Sequence, residues 1–158
     1  MKLNSVKNLK LLSVIFGIIG TFMIFFPALA FPNSDSSFSG FKIAFGTEFV
    51  NLGEIANGRI LFNVFAILAY FLPVSAALVL LFAKKRSDMI STILFGVSVL
   101  LLLLMPTYTV VTVTVLGNTN RVDIEWVFSF GLIIAIVCSI GGLVIGTFSA
   151  FPKSAKIL

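Results

Sequence analysis

The sequence predicts an all-α membrane protein: a four-transmembrane-helix bundle carrying a small extracellular β-sheet made from its two outer loops. Three observations lead there. Hydrophobic residues are 59% of the 158 and mean hydropathy is +1.15, well outside the roughly 45–50% apolar content of soluble domains. The charges fall between four long uncharged runs rather than among them. Past the first and third runs, apolar residues alternate with small or hydroxylated ones, the period-two pattern of strands. The chain then reads as one integral membrane domain, 1–158, with spans at about 11–31, 60–83, 89–106 and 126–151 and outer loops at 32–59 and 107–125.

The charges set an orientation. Lys2, Lys7, Lys10, Lys84, Lys85, Arg86, Lys153 and Lys156, eight of the eleven cations, lie on one side of the spans. Lys42, Arg59 and Arg121 lie on the other with five of the six acids. By the positive-inside rule this predicts a multi-pass protein of the cell membrane with both termini cytoplasmic. The pI near 9.7 then expresses topology and attraction to anionic lipid, about 1 kcal/mol per basic residue near the surface. No nucleic-acid partner is expected.

The first run, Leu11 to Phe31, is 21 residues long, and about 20 residues at 1.5 Å each cross the hydrocarbon. Its lysine-rich start and Ala28-Leu29-Ala30 also fit a cleavable secretory signal. The length of the run and Pro32 just beyond the would-be cut favour an uncleaved helix. Ser13, Gly17 and Thr21 form a small-residue row with Gly20 beside it, and Pro27 should stop or kink the helix. In the first outer loop, Phe41, Ile43 and Phe45 alternate with Lys42, Ala44 and Gly46, which predicts a strand with one apolar face.

The second run, Ile60 to Ala83, is uncharged for 24 residues. Asn63 lies one turn inside it, where an interhelical hydrogen bond worth about 0.6–2 kcal/mol is expected. Pro73 should free the carbonyl of Ala69 and bend the helix. A very short inner turn, Lys84 to Asp88, makes the third run, Met89 to about Met105, an antiparallel neighbour of the second, and Pro106 ends it. Val111, Val113 and Val115 then alternate with Thr112 and Thr114, favouring a strand. Pairing it with Phe41 to Phe45 makes one sheet, whose free edge is a ready contact site.

Trp126, an interfacial anchor, opens the fourth run, 26 residues without a charge. Gly131, Ala135 and Ser139 form one row four apart, and Cys138, Gly142, Gly146 and Ala150 form the adjacent one. Lipid tails are as apolar as Leu, so helices associate by the close backbone approach that such residues allow. Gly131, Ala135, Ser139, Gly142 and Gly146 are the expected helix-packing residues.

Chemistry is bounded mostly by exclusion. With no His and one Cys, neither an intrachain disulfide nor a zinc site of His and Cys ligands can form. No Asp, Glu, Lys or Arg lies in any run, which argues against a coupled transporter and against an intramembrane hydrolase. Glu48, Glu54, Asp123 and Glu125 lack calcium-loop spacing. No enzyme activity, cofactor or metal is expected. Two functions stay open. One is a structural or interaction component that presents its outer strands, Phe41, Ile43, Phe45 with Val111, Val113, Val115, to a membrane-protein partner or a second copy. The other is a pore or carrier for small neutral or lipophilic molecules, lined by Asn63, Pro73 and Ser75.

Four spans, inward termini and strands in both outer loops resemble the claudin type of architecture in topology alone, since claudins carry a first-loop tryptophan and cysteine pair and here the only Trp is Trp126 and the only Cys is Cys138. The nine residues Phe38-Ser39-Gly40-Phe41-Lys42-Ile43-Ala44-Phe45-Gly46 resemble a first-loop motif of uncharacterised small four-span membrane proteins of low-G+C Gram-positive bacteria and mollicutes. That resemblance implies the same membrane architecture and brings no activity with it.

Overall fold

The computed structural model describes residues 3–32, 35–53, 55–82 and 87–150, with side chains from residue 8 to 149 among them. Helix α1 spans Leu3–Phe22 and tightens into a 3-10 turn at Met23–Phe25. The helix ends there because of Pro27. The residue before a proline is pushed out of the helical region, and Phe26 is extended at φ −97°, ψ 161°. Strand β1, Pro27–Ala30, pairs antiparallel with β2, Ser37–Ser39.

A six-residue helix follows, α2 at Gly40–Phe45. It starts with a cap, the Ser39 hydroxyl accepting from the Lys42 N–H at 3.3 Å, and stops at Gly46, whose φ of 81° suits glycine. Strands β3, Thr47–Asn51, and β4, Ala56–Ile60, lead to helix α3, Val64–Phe82. Helix α4 is Ser87–Leu103 and a short α5 is Met105–Tyr108. Strands β5, Val111–Val115, β6, Asn118–Val122, and β7, Val127–Phe128, precede helix α6, Phe130–Ala150. The inner turn expected at Lys84 to Asp88 lies outside the described residues up to 86.

This overturns the expected all-α four-span bundle. Among the described residues there are six helices and seven strands in two antiparallel sheets, of order β2-β1-β7 and β3-β4-β5-β6, so the fold is α+β. Three helical segments, Asn8–Phe25, Val64–Phe82 and Phe130–Ser149, are long and apolar enough to cross a membrane, while α4 has only 17 residues. The uncharged runs overstate the helices because their ends are strands. Pro27 turns the end of the first run into β1, Ile60 closes β4, and Val127–Phe128 pairs with Ala30 and Leu29 as β7. In the third run Leu104, at φ −85° and ψ 1°, leaves the helix just before Pro106.

The four long helices pack antiparallel in the cyclic order α1, α3, α4, α6. Their seams are lined by small residues. A Cβ at Gly17 of α1 would lie 2.5 Å from the carbonyl oxygen of Pro73 in α3, and one at Gly141 of α6 would lie 2.8 Å from the Phe16 ring. Outward the pattern reverses: Leu11, Ile18, Phe71, Leu81, Leu100, Val137 and Phe148 are exposed. Large apolar groups outside and small ones within suit a lipid solvent, which makes these helices compatible with a membrane location.

Pro73 is where the helices are tied together. A proline inside a helix leaves the carbonyl four residues earlier without its donor, here that of Ala69. The Ser98 hydroxyl of α4 donates to it at 2.7 Å, and Ser98 Oγ is 3.4 Å from Ser139 Oγ of α6. The Thr21 hydroxyl of α1 donates at 2.7 Å to the next carbonyl, that of Tyr70. One proline is thus surrounded by hydroxyls donated from its neighbours, which satisfy backbone acceptors inside the helix group.

Candidate contact platform

Both sheets lie at the end of the helices formed by the C-termini of α1 and α4 and the N-termini of α3 and α6. The four-stranded sheet combines two strands from each long connection. Its inner face carries Ile60 and Val111, each 1% exposed, over the main core. Phe49 lies across Gly58, where a Cβ would be 2.8 Å from the Phe49 ring. Phe31, Phe38, Phe49 and Trp126 pack beside them as an aromatic cluster. Trp126 stacks on Phe31 at 5.1 Å and 12°.

The outer face is polar. Antiparallel pairing places Glu48, Arg59, Thr112 and Arg121 in one row across the four strands, and Asn51, Asn57, Thr114 and Thr119 in the next. Residues directly opposite on paired strands share a face. Asn51 Nδ2 donates to Glu48 at 3.2 Å, and the Thr114 and Thr119 hydroxyls are 2.8 Å apart. An open recess of about 710 Å³ is lined by Ile55, Asn57, Arg59, Thr114 and Leu116 among others. Asn57 Oδ1 is buried and has no partner among the described residues.

The far tips of the sheet are apolar. Leu116 and Gly117 make the β5–β6 turn with φ of 50° and 83°, the positive pair that a two-residue hairpin demands and that Asn-Gly ordinarily supplies. A leucine there costs about 1–2 kcal/mol, yet Leu116 is 75% exposed. Its amide donates to Ile55 O at 3.1 Å, so this tip adjoins the β3–β4 turn, where Leu52 and Ile55 are also exposed, at 63% and 65%.

The residues singled out from the sequence are not all brought here. Val111, Val113 and Val115 form β5, with Val111 and Val113 turned toward the core and Val115 half exposed. Phe41, Ile43 and Phe45 are not a strand and do not pair with β5. They belong to α2, where Ile43 is fully buried and Phe41 and Phe45 are exposed with rings 4.5 Å apart. The partners of β5 are β4 and β6. The sequence of β4, Ala-Asn-Gly-Arg-Ile, has no alternating apolar signal, and neither does β6, Asn-Thr-Asn-Arg-Val.

Asn63, Pro73 and Ser75 sit at separate points of α3 and its cap, each with its own neighbours. Asn63 caps α3: its Oδ1 accepts from the Phe65 and Ala66 amides at 3.1 and 3.3 Å, and its Nδ2 donates to Tyr108 O at 3.0 Å. Pro73 lies ten residues on, about 15 Å along the helix, against Gly17 and Gly20 of α1. The Ser75 hydroxyl donates to Phe71 O of its own helix at 3.0 Å. In α6, Gly131 packs on the Pro27 carbonyl, Ala135 and Ser139 are fully buried, Gly142 faces the ring of Phe95, and Gly146 faces Thr92.

What the geometry defines is an α+β protein, with three helices apolar enough to cross a membrane and a sheet platform at one end of them. No family model, curated protein or solved structure matches the chain.

Proposed function

We propose that this is a non-catalytic multi-pass membrane protein whose four-stranded sheet is a contact platform for a membrane-protein partner or a second copy. The observation that carries the reading is Leu116. A bulky side chain held in a costly backbone conformation and still exposed, beside two more exposed apolar residues, is better suited to docking than to stability. With a photo-crosslinking residue at 116, 52 or 55 in native membranes, a discrete adduct is expected. An adduct of twice the chain mass identifies self-contact. Leu116→Asn should remove the adduct made from position 55 while stabilising the hairpin by about 1 kcal/mol, because Asn tolerates the left-handed region. Crosslinking from these tips no stronger than from lipid-facing Val137 would remove the reading.

Both termini are placed in the cytoplasm and the sheet outside. The support is the antiparallel order of the long helices, carried by contacts such as Thr21 with Tyr70 and Ser98 with Ala69 and Ser139, together with the sequence bias of Lys and Arg toward the termini and the connection between the second and third runs. Single cysteines at Ser37 and Asn8, both exposed, report the two ends, while native Cys138 is buried. Ser37→Cys should react with an impermeant thiol reagent in intact cells and Asn8→Cys only after permeabilisation. The reverse pattern would invert the protein and put the platform inside.

A further inference from the structure

We infer that the outer face of the four-stranded sheet and the crevice beneath it seat one anionic phospholipid. This goes beyond the contact reading, which rests on the tips of the sheet, and shares with it the membrane placement and Arg59, which also lines the recess beside those tips. Two features on one face carry the inference.

The first is a pair of arginines that make no ion pair among the described residues, although Glu48 stands opposite Arg59 and Asp123 follows Arg121 by two residues on the same face. Arg59 and Arg121 flank Thr112 in register, two strand spacings apart, or about 10 Å. Both guanidinium groups rise from the same face. Glu48, the acid opposite Arg59 on β3, is held by Asn51 and Asn57. The only ion pair among the described residues is Lys10 with Asp88, at 2.7 Å near the other end of the helices. Arginine is the side chain best matched to phosphate oxygens, because its fork donates two parallel hydrogen bonds.

The second feature is an apolar crevice directly below. The β4–β5 ladder runs on past its last paired residues, Leu61 N–H donating to Val110 O at 3.1 Å. Alternation therefore puts Leu61 under Arg59 and Val110 under Thr112 on this same face. There Leu61, Phe62, Val64, Phe65, Tyr108 and Val110 line an open recess of about 400 Å³. Phe62, Val64 and Phe65 are half or more exposed, so the recess opens onto the surface that lipid would cover.

The depth is right for a lipid. Exposed phenylalanines mark where the helices give way to the sheets: rings of Phe22, Phe25, Phe41, Phe45 and Phe62 touch in series. Aromatic belts of this kind lie at the membrane–water boundary. The crevice begins at Phe62 and the arginines stand just above it, at headgroup height. An acyl chain in the crevice with its phosphate between Arg59 and Arg121 satisfies both features at once. A soluble acidic ligand would leave the crevice unused.

The test uses the full chain, purified in mild detergent from vesicles of phosphatidylcholine with one-tenth phosphatidylglycerol, and counts retained lipid by mass spectrometry. One phosphatidylglycerol per chain is expected, with retention over phosphatidylcholine lowered about thirtyfold in Arg59→Gln/Arg121→Gln. That factor corresponds to about 2 kcal/mol, about 1 for each arginine near an anionic surface. Lys42→Gln, which removes a cation from α2 instead, should retain the lipid. Equal retention of the two lipids by the native chain would overturn the inference, as would unchanged retention in the double variant. Melting in pure phosphatidylcholine separates misfolding from lost binding. If the double variant melts lower there, Arg59→Lys/Arg121→Lys must restore both melting and at least part of the lipid preference, and restored melting without preference for phosphatidylglycerol over phosphatidylcholine overturns it. Soluble glycerol phosphate should not displace the lipid at millimolar concentration. Displacement would mean that the crevice contributes nothing and would also sink the assignment.

Discussion

Gly17→Ala is expected to cost about 1–3 kcal/mol, the usual penalty of overpacking, because the added methyl would lie 2.5 Å from a backbone oxygen of α3 that cannot step aside. The atom it meets belongs to Pro73, the residue around which the interhelical hydrogen bonds are arranged. Moving α1 outward would therefore also stretch the bond from Thr21 to Tyr70 O. Gly142→Leu should cost a similar amount, since its Cβ would overlap the ring of Phe95, which is 0% exposed and has nowhere to go. Gly146→Leu should cost less than either, because what it meets first is the Thr92 hydroxyl, 2.5 Å away, which can turn aside by giving up its hydrogen bond to Asp88 O. Leu at Phe148 or Ile134, both exposed, should change stability by no more than about 0.5 kcal/mol. Unfolding in detergent measures all five. Equal tolerance at Gly17, Gly142 and Phe148 would mean that these glycines do not lie at helix contacts.

These seams leave a direct trace in the sequence because close helix packing needs small residues. Small residues four apart have one physical use in an apolar helix, and Gly142, Gly146 and Gly17 carry it. The freed carbonyl at Ala69 was legible for a similar reason, since the missing donor is a property of Pro73 alone. Which hydroxyl answers it was not, because Ser98 is 29 residues away and nothing local marks it.

The sheets were the harder part. The alternation of Phe41, Ile43 and Phe45 predicts a strand where α2 forms, yet the capping Ser39 and the stop at Gly46 are both in the sequence. A six-residue window cannot separate period two from one and a half turns of helix, and here the ends decide. Strands β4 and β6 are a different case. Ala-Asn-Gly-Arg-Ile and Asn-Thr-Asn-Arg-Val have poor strand propensity, and they are strands because β5 pairs with both. The candidate site was missed with them: Arg59 and Arg121 lie 62 positions apart, and only register through Thr112 shows that they share a face.

Asn63→Ala should be the most damaging single polar substitution, lowering stability by about 2 kcal/mol. Three groups lose a partner at once. The amides of Phe65 and Ala66 open α3 and receive the Asn63 side-chain oxygen; losing such a cap costs about 1 kcal/mol. The carbonyl of Tyr108 loses its donor from Asn63 Nδ2, and leaving that part-buried acceptor without it costs about 1 kcal/mol more. Asn63 is itself only 7% exposed, so water cannot readily replace the amide. Asn63→Asp divides the effect: the carboxylate can still cap, but it can no longer donate to Tyr108 O and would face that carbonyl with a negative charge. Its cost should therefore fall as pH drops and the carboxyl becomes a donor, whereas that of Asn63→Ala should not change with pH. Unfolding in detergent at two pH values separates the two variants. The same substitutions decide what Asn63 is for. A residue lining a solute path would, when changed to Ala, alter flux into liposomes and leave unfolding where it was. A residue that joins α3 to α5 beneath the platform would move the unfolding transition and loosen the crevice next to it.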